Sequence, residues 1–327
     1  MQMLASVSYY GFWTYYMGTG DRQTIADVLP RVKKYIHVWK TDAQGLVIPR
    51  SGGWTWGDWG ENKDMTLLFN LWYVIALKGY EEMNQLAGEA EEAAWARTTA
   101  DKLRKVFHRT FWNGKYYISP GYQGKPDDRA QALAVVSGVL PKELYPVIRP
   151  FFSTWYHASP YMEKYVLEAL CTMGYYLDAL NRMKLRYRVM IERPLPTLWE
   201  GWGIGSEGFG GGTYNHAWSG GPLTILSQYI AGIETLEPAF RTFRVAPHPA
   251  HLNFIRTQVP VSGGRRRVCE IAKSAHGGTM YLRVPEGSSA QVVLPAEFQR
   301  WSVNGEPKNA RQLTLVAGEW HFEMSEK

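Results

Sequence analysis

The chain changes its hydrophobic period once, and that switch constrains its fold more than any single motif. Up to about residue 240, apolar residues recur at helical spacing, as in Ile25, Leu29, Val32 and Ile36. After Pro247 they alternate at period two in short runs bounded by Gly, Pro and Asn, for example Gly278-Thr-Met-Tyr-Leu-Arg-Val-Pro285 and Ala290-Gln-Val-Val-Leu-Pro295. A run of helices followed by a run of strands predicts a mainly α chain with two domains. We place the helical domain at residues 1–247 and a small antiparallel β-sandwich at 248–327.

Helices are predicted near 7–15, 24–39, 64–79, 84–111, 129–138, 142–152, 160–174, 176–191 and 221–234. Pro30 should kink or end the second of these, and Ser219 is a candidate N-cap for the last, with Pro222 in its first turn. In 84–111 the acids Glu89, Glu91 and Glu92 precede the bases Arg97, Lys102, Arg104 and Lys105. That order suits the helix dipole and i,i+4 pairing, so the charges read as a solvated face. Short connections alternate with long ones rich in Gly and Trp: 40–62, 112–128 and 193–219. Loops of that length are functional or disordered, and these are too aromatic for disorder. Helical hairpins with elaborate loops at one end describe an α/α toroid whose loops form the floor and rim of a cleft.

Aromatic residues make up 14% of the chain, including 14 Trp and 20 Tyr. A groove lined with rings is one account of them, and an aromatic-rich helical core is the other. The net charge of +6 is modest, and its densest run, Arg265-Arg-Arg267 beside Gly263 and Gly264, reads as a solvated turn. No basic helix accompanies it, so a nucleic-acid partner is not expected. No apolar run of 18 residues suggests a membrane span. Cys171 and Cys269 stand far apart, without the spacing of a disulfide framework or a metal site, and no cofactor is expected. Met1-Gln-Met-Leu-Ala-Ser has no basic leader, and the compartment stays open.

Three segments carry candidate chemistry. Leu195-Pro-Thr-Leu-Trp-Glu-Gly-Trp202 sets Glu200 between Trp199 and Trp202, and Thr213-Tyr-Asn-His-Ala-Trp-Ser-Gly220 adds His216 and Trp218. Indoles would exclude water and raise the basicity of a carboxylate, which suits a base that takes a proton from water. The plainer alternative is a helix-terminal Glu pairing with Arg193. His216 is expected to touch a ligand or orient Glu200. Gly52-Gly-Trp-Thr-Trp-Gly-Asp-Trp-Gly-Glu61 brings Trp54, Trp56 and Trp59 beside Asp58 and Glu61. It reads as a sugar-gripping loop, although Asp58 or Glu61 could instead cap the helix that starts near Lys63. Ser159-Pro-Tyr-Met-Glu-Lys164 opens a helix with Glu163 in its first turn, a place the dipole alone favours, and Glu163 is kept as a candidate contact. Asp127-Asp-Arg129 is most simply a helix entry.

In this order and spacing the segments resemble the family 78 α-L-rhamnosidases of the six-hairpin glycosidase group, over nearly the whole chain. Thr197-Leu-Trp-Glu-Gly-Trp202, Asn215-His216, Gly57-Asp-Trp59, Val284-Pro-Glu-Gly-Ser-Ser-Ala-Gln-Val-Val-Leu-Pro295 and Val303-Asn-Gly305 carry the likeness. The resemblance implies an (α/α)6 barrel, a carbohydrate substrate bearing terminal L-rhamnose, and Glu200 as the water-activating base. It also implies an inverting mechanism, with a second carboxylate about 6.5–9.5 Å away as the acid.

The chain departs from the family where that acid is expected. The family's Asp-x-x-x-Arg-Asp-Glu type of segment is missing, only about nine helical segments are read where a full toroid has about twelve, and Met1 falls inside a helix. The expectation is therefore a barrel lacking its N-terminal part, which would pack on it as a further stretch of the same polypeptide. Poor or no hydrolysis by these residues alone follows. A rhamnosyl-glucuronate lyase on the same scaffold, which would release an ultraviolet-absorbing unsaturated product, and a sugar-binding remnant without turnover are the rivals.

Overall fold

The structure, a computed structural model, describes residues 2–50, 55–194, 196–207, 212–260, 266–274, 277–295 and 297–325. Its helices are α1 (Gln2–Ser6), α2 (Thr14–Thr19), α3 (Arg22–Val38), α4 (Met65–Ala87), α5 (Ala90–Phe111), α6 (Asp128–Val136), α7 (Tyr145–Ile148), α8 (Pro160–Thr172), α9 (Tyr176–Ile191) and α10 (Gly221–Ile225). They fall into two classes by burial. Nearly every residue of α6, most of α8 and the Leu67–Leu77 stretch of α4 are buried, as expected of helices that line a barrel interior. In contrast, α3, α5 and α9 bury one stripe each, such as Ile25, Leu29, Val32 and Ile36 of α3. Among these, α4 packs on α6 and α6 on α8, while α3 and α5 back α4 and α9 backs α8. None of the helices, over the described residues, is long and apolar enough to cross a membrane.

Several boundaries differ from those expected. The segment read as one helix over 84–111 is two, because Gly88 takes a left-handed conformation (φ 80°) and the Glu89 N–H bonds back to the Asn84 carbonyl at 2.9 Å. Pro30 neither ends nor splits α3; it lies on the exposed face, where solvent can meet the carbonyl it leaves unbonded. The 142–152 region is a chain of short turns, 3-10 over Lys142–Leu144 and Arg149–Ser153 with α7 between, interrupted by Pro146 and Pro150. The helix expected over 221–234 stops as α10 at Ile225 and continues as a π turn over Leu226–Ile230. The Ser219 hydroxyl does not cap it but donates to the Trp199 carbonyl.

The ion cluster where α3, α4 and α5 meet makes a pH-dependent clasp. Glu92 receives hydrogen bonds from Lys33 (2.8 Å), Tyr80 (2.8 Å) and His37 (3.0 Å). Burial works to raise its pKa, but these donors outweigh burial and hold it at about 2. A carboxylate depressed in the folded state contributes stability above its unfolded value near 4.5 and loses it as pH falls through 2. Glu92→Gln should therefore lower the urea midpoint at neutral pH, with the gap to the parent closing towards pH 2. A gap that stays constant between pH 6 and pH 2 would remove the clasp from the account.

Strand structure begins at β1 (Ile233–Thr235) and β2 (Thr242–Val245). Gly232 before them must be glycine, since a Cβ there would lie 2.0 Å from the Ala246 carbonyl oxygen. Then follow β3 (Phe254–Pro260), β4 (Arg266–Ser274), β5 (Gly277–Val284), β6 (Ser289–Val293), β7 (Arg300–Val303), β8 (Glu306–Lys308), β9 (Gln312–Leu315) and β10 (Gly318–Ser325). They form a four-stranded sheet, β1-β2-β6-β9, and a six-stranded one, β3-β4-β5-β10-β7-β8. Every pairing is antiparallel except β2 with β6. Alternate residues are buried in both sheets, among them Phe243, Val245, Ala290 and Val292 in one and Met280, Leu282, Phe322 and Met324 in the other, which is the signature of sandwiched sheets. The basic run expected as a turn instead opens β4, where Arg266 and Arg267 pair with Pro260 and Val259; Arg265 lies outside the described residues. Both cysteines are buried and free.

By its internal contacts the chain forms two compact units, one comprising Met1–Tyr15 and Asp21–Pro222, the other Tyr16–Gly20 and Leu223–Lys327.

Candidate active site

The N-terminal ends of the three inner helices are tied together by side chains that cap them. Asp64 caps α4 through the Leu67 N–H (3.3 Å) and also accepts from the Ser119 N–H and hydroxyl (2.8 and 2.7 Å), anchoring the 112–128 loop. Its own N–H donates to Asp127 Oδ2 (3.0 Å) at the start of α6. Asp64 thus holds the capping role that the sequence offered to Asp58 or Glu61. Ser159 caps α8, and its N–H donates to Asp58 Oδ2 (2.9 Å).

Arg129 binds this layer together. It is wholly buried and donates to Asp127 Oδ1 (2.6 Å), Asp58 Oδ2 (3.2 Å) and the carbonyls of Trp59, Glu61 and Asn62 (3.2, 2.6 and 2.9 Å). The guanidinium therefore shapes the whole 58–62 turn. Burial pushes the Asp127 carboxyl up to about 6, with Arg129 restraining it, and burial likewise raises Asp58 against the pull of Arg129 and Ser159. A second buried arginine, Arg182, takes both oxygens of Glu163 (2.6 and 3.0 Å) and Asp128 Oδ2 (2.8 Å). Asp127-Asp-Arg129, read as a helix entry, is thus also the hub of two ion networks.

Glu200 lies in a different setting. Two backbone bonds, Glu200 N–H to Thr213 O (3.0 Å) and His216 N–H to Leu198 O (2.8 Å), zip the 198–200 stretch against 213–216. Glu200 Oε2 then sits 3.5 Å from His216 Nδ1 and 3.4 Å from the Thr213 hydroxyl, with 17% of the side chain exposed. The Trp218 indole N–H donates to the Glu200 carbonyl (3.1 Å). From there an aromatic cluster extends. The His216 ring lies 4.6 Å from Trp218, which stacks at 25° on both Trp56 (5.8 Å) and Tyr161 (5.4 Å), and Trp56 meets Trp59 edge-on at 5.9 Å. The residues brought together are therefore Glu200, His216, Trp218, Trp56 and Trp59, drawn from two segments more than 130 positions apart. The Arg193 guanidinium lies over the Trp199 ring at 5.8 Å.

The remaining candidates are placed otherwise. Trp199 is only 2% exposed and packs edge-on against Tyr214. Trp202 donates to the Ala158 carbonyl (2.7 Å) and has Arg186 over its ring (4.1 Å) and Tyr187 at its edge. Through these contacts the two indoles fasten the Glu200 loop. Glu163 is fully buried, with both oxygens committed to Arg182. Glu61 is exposed, and its backbone carbonyl, not its carboxylate, is the group held by Arg129. Asp58 is buried with Oδ2 engaged and Oδ1 without a partner among the described residues. Trp54 lies outside the described residues. Tyr161 and Thr213 were not singled out by the sequence; Ser159-Pro-Tyr161, with a ring at the second position of a capped helix, is the signal that would have found the first. Among the described residues no three His, Cys, Asp or Glu side chains gather to hold a metal ion.

Comparison with known proteins places this architecture. The family model of the bacterial α-L-rhamnosidase six-hairpin glycosidase domain matches residues 5–230, and that of the bacterial α-L-rhamnosidase C-terminal domain matches 232–308. A curated α-L-rhamnosidase of Streptomyces avermitilis is 23% identical over 87% of this chain and 28% of its own length. Among solved structures, α-L-rhamnosidase from Dictyoglumus thermophilum superposes with TM-score 0.82 at 20% identity, over 96% of this chain and 38% of that one. The Bacillus sp. GL1 family 78 rhamnosidase gives 0.75 at 25% identity, over 86% and 32%. The S. avermitilis enzyme complexed with L-rhamnose gives 0.73 at 19%, over 95% and 32%. The chain thus spans between about a quarter and two fifths of these relatives. It belongs to the bacterial α-L-rhamnosidase six-hairpin glycosidase family.

Proposed function

We propose that these residues carry the water-activating half of an inverting α-L-rhamnosidase site, with Glu200 as the general base. One observation carries the reading: a partly exposed carboxylate held by Thr213 and His216 at the edge of the Trp218–Trp56–Tyr161 cluster. Ring faces hold the apolar face of a deoxy sugar, and the carboxylate takes the proton from the water that attacks the anomeric carbon. His216, Trp218, Trp56, Trp59 and Tyr161 are the proposed sugar contacts. The family and the names of the relatives support rhamnose as the sugar.

The acid that protonates the leaving oxygen is assigned to none of the buried carboxylates here, because Asp58, Asp127, Asp128 and Glu163 are tied to Arg129 and Arg182. A leaving group that departs as a stable anion needs no such proton. The chain should therefore release 2,4-dinitrophenolate from its α-L-rhamnoside far faster than it releases methanol from methyl α-L-rhamnoside. The first-formed sugar, followed by proton NMR, should be the β-anomer. An α-anomer formed first, or an unsaturated product absorbing in the ultraviolet, would overturn the reading.

Trp218 joins the carboxylate side of the cluster to the Trp56 and Tyr161 side. Trp218→Ala should weaken L-rhamnose binding by about tenfold or more, read by isothermal titration. Unchanged affinity would remove the aromatic cluster from the sugar site.

A further inference from the structure

Three polar atoms meet at Glu200 and have fewer protons than directions in which to send them. Thr213 Oγ1 lies 3.0 Å from His216 Nδ1 and 3.4 Å from Glu200 Oε2, and Nδ1 to Oε2 is 3.5 Å. A hydroxyl has one proton to donate, a carboxylate only accepts, and a neutral imidazole nitrogen does one or the other. If Thr213 gave its proton to Nδ1, the Nδ1 lone pair would already be used. The carboxylate oxygen beside both groups would then receive no hydrogen bond from either. If His216 carries its proton on Nδ1, the imidazole donates to Thr213 and Thr213 donates onward to the carboxylate. The second arrangement satisfies all three atoms, and its last bond is strengthened by the charge on its acceptor.

We propose that Thr213 is a positioning residue of this site, relaying a hydrogen bond from His216 Nδ1–H through its hydroxyl to Glu200 Oε2. The relay rests on the reading of Glu200 as the base. It occupies Oε2, leaving Oε1 as the oxygen that faces water, and it fixes the tautomer so that Nε2 of His216 presents a lone pair. That nitrogen then accepts from a ligand hydroxyl instead of donating to one. The backbone supports the triangle from both sides, through the Glu200 N–H to Thr213 O bond and the His216 N–H to Leu198 O bond, while Trp218 holds the Glu200 carbonyl.

The test uses the full chain with 15N-labelled histidine imidazoles, the His216 resonances being assigned by their loss in His216→Gln. Under conditions where His216 is neutral, its Nδ1 should show the shift of a protonated nitrogen and Nε2 that of an unprotonated one. Thr213→Val should move the ring towards the Nε2–H form that free imidazole side chains favour, and Thr213→Ser should keep the parent spectrum. With 2,4-dinitrophenyl α-L-rhamnoside, Thr213→Val should lower kcat by about tenfold with KM little changed, the size expected for one charge-assisted hydrogen bond. Thr213→Ser should restore it. A parent ring protonated on Nε2, or a Thr213→Val spectrum identical to the parent, overturns the relay. Should Glu200→Gln leave turnover intact, the base assignment fails while the imidazole spectra still decide the hydrogen-bond chain.

Discussion

Exchanging Arg129 for methionine is expected to lower the melting temperature of the helical unit by about 10 °C or more. The side chain is fully buried and satisfies two carboxylates and three backbone carbonyls, and methionine keeps its bulk while removing every donor. Removing one partner from a buried ion pair costs about 3–5 kcal/mol, because the charge left behind stays desolvated. The carbonyls of Trp59, Glu61 and Asn62 add to that unless water reaches them.

The loss should depend on pH in a definite direction. Asp127 already has its carboxyl raised to about 6 by burial with Arg129 present, and without Arg129 it must rise further. A carboxyl raised in the folded state binds a proton more tightly there than in the unfolded chain. Its destabilisation is therefore absent below the unfolded value near 3.8 and grows as pH rises through 6. The gap between the melting curves of Arg129→Met and parent should be smaller near pH 4, where only the unpaired carbonyls remain as a cost, and wider at pH 8. A variant that melts within a degree or two of the parent at pH 8 would show that Arg129 does not hold this layer together. Tryptophan emission should change alongside, since the 58–62 turn carries Trp59 and follows Trp56.

Much of the architecture was legible because period and punctuation agree in it. The burial of α4 follows from apolar residues on all sides of the 65–87 stretch, and the stripes of α3 and α9 follow from theirs. The break at Gly88 was not read, since good helix formers such as Ala87, Glu89 and Ala90 flank it and a left-handed glycine leaves no periodic trace. In the site, Glu200, His216 and Trp218 lie within twenty residues and could be read together. Tyr161 reaches Trp218 only through the packing of α8. Arg129 and Arg182 were unreadable as buried groups, because an arginine in a helical pattern ordinarily points to solvent, and only the tertiary fold shows the carboxylates that pair with it. The same limit applies to Trp199 and Trp202, whose position beside Glu200 in the chain gave no sign that one packs edge-on against Tyr214 and the other donates to the Ala158 carbonyl.

Exchanging Glu200 for glutamine should reduce kcat for an aryl α-L-rhamnoside by about 10²–10⁴, the usual worth of a positioned base. Glutamine keeps the shape and can still accept from Thr213, so the backbone zipper, the Trp218 bond and the affinity for L-rhamnose should persist; KM should change little. The amide cannot take a proton from water, and only that function is lost. A substrate with an activated leaving group makes the measurement sensitive to this step, because bond cleavage then needs no acid. Glu200→Ala adds a second, independent readout. It opens space where the carboxylate stood, and azide, which attacks without first losing a proton, should recover part of the lost rate and yield a rhamnosyl azide of inverted, β configuration. Such rescue separates a missing base from a collapsed site, since a collapsed site would not admit the anion productively. Retention of parent turnover by Glu200→Gln would end the base assignment outright. A loss of turnover accompanied by lost rhamnose binding in both variants would make Glu200 a sugar contact instead.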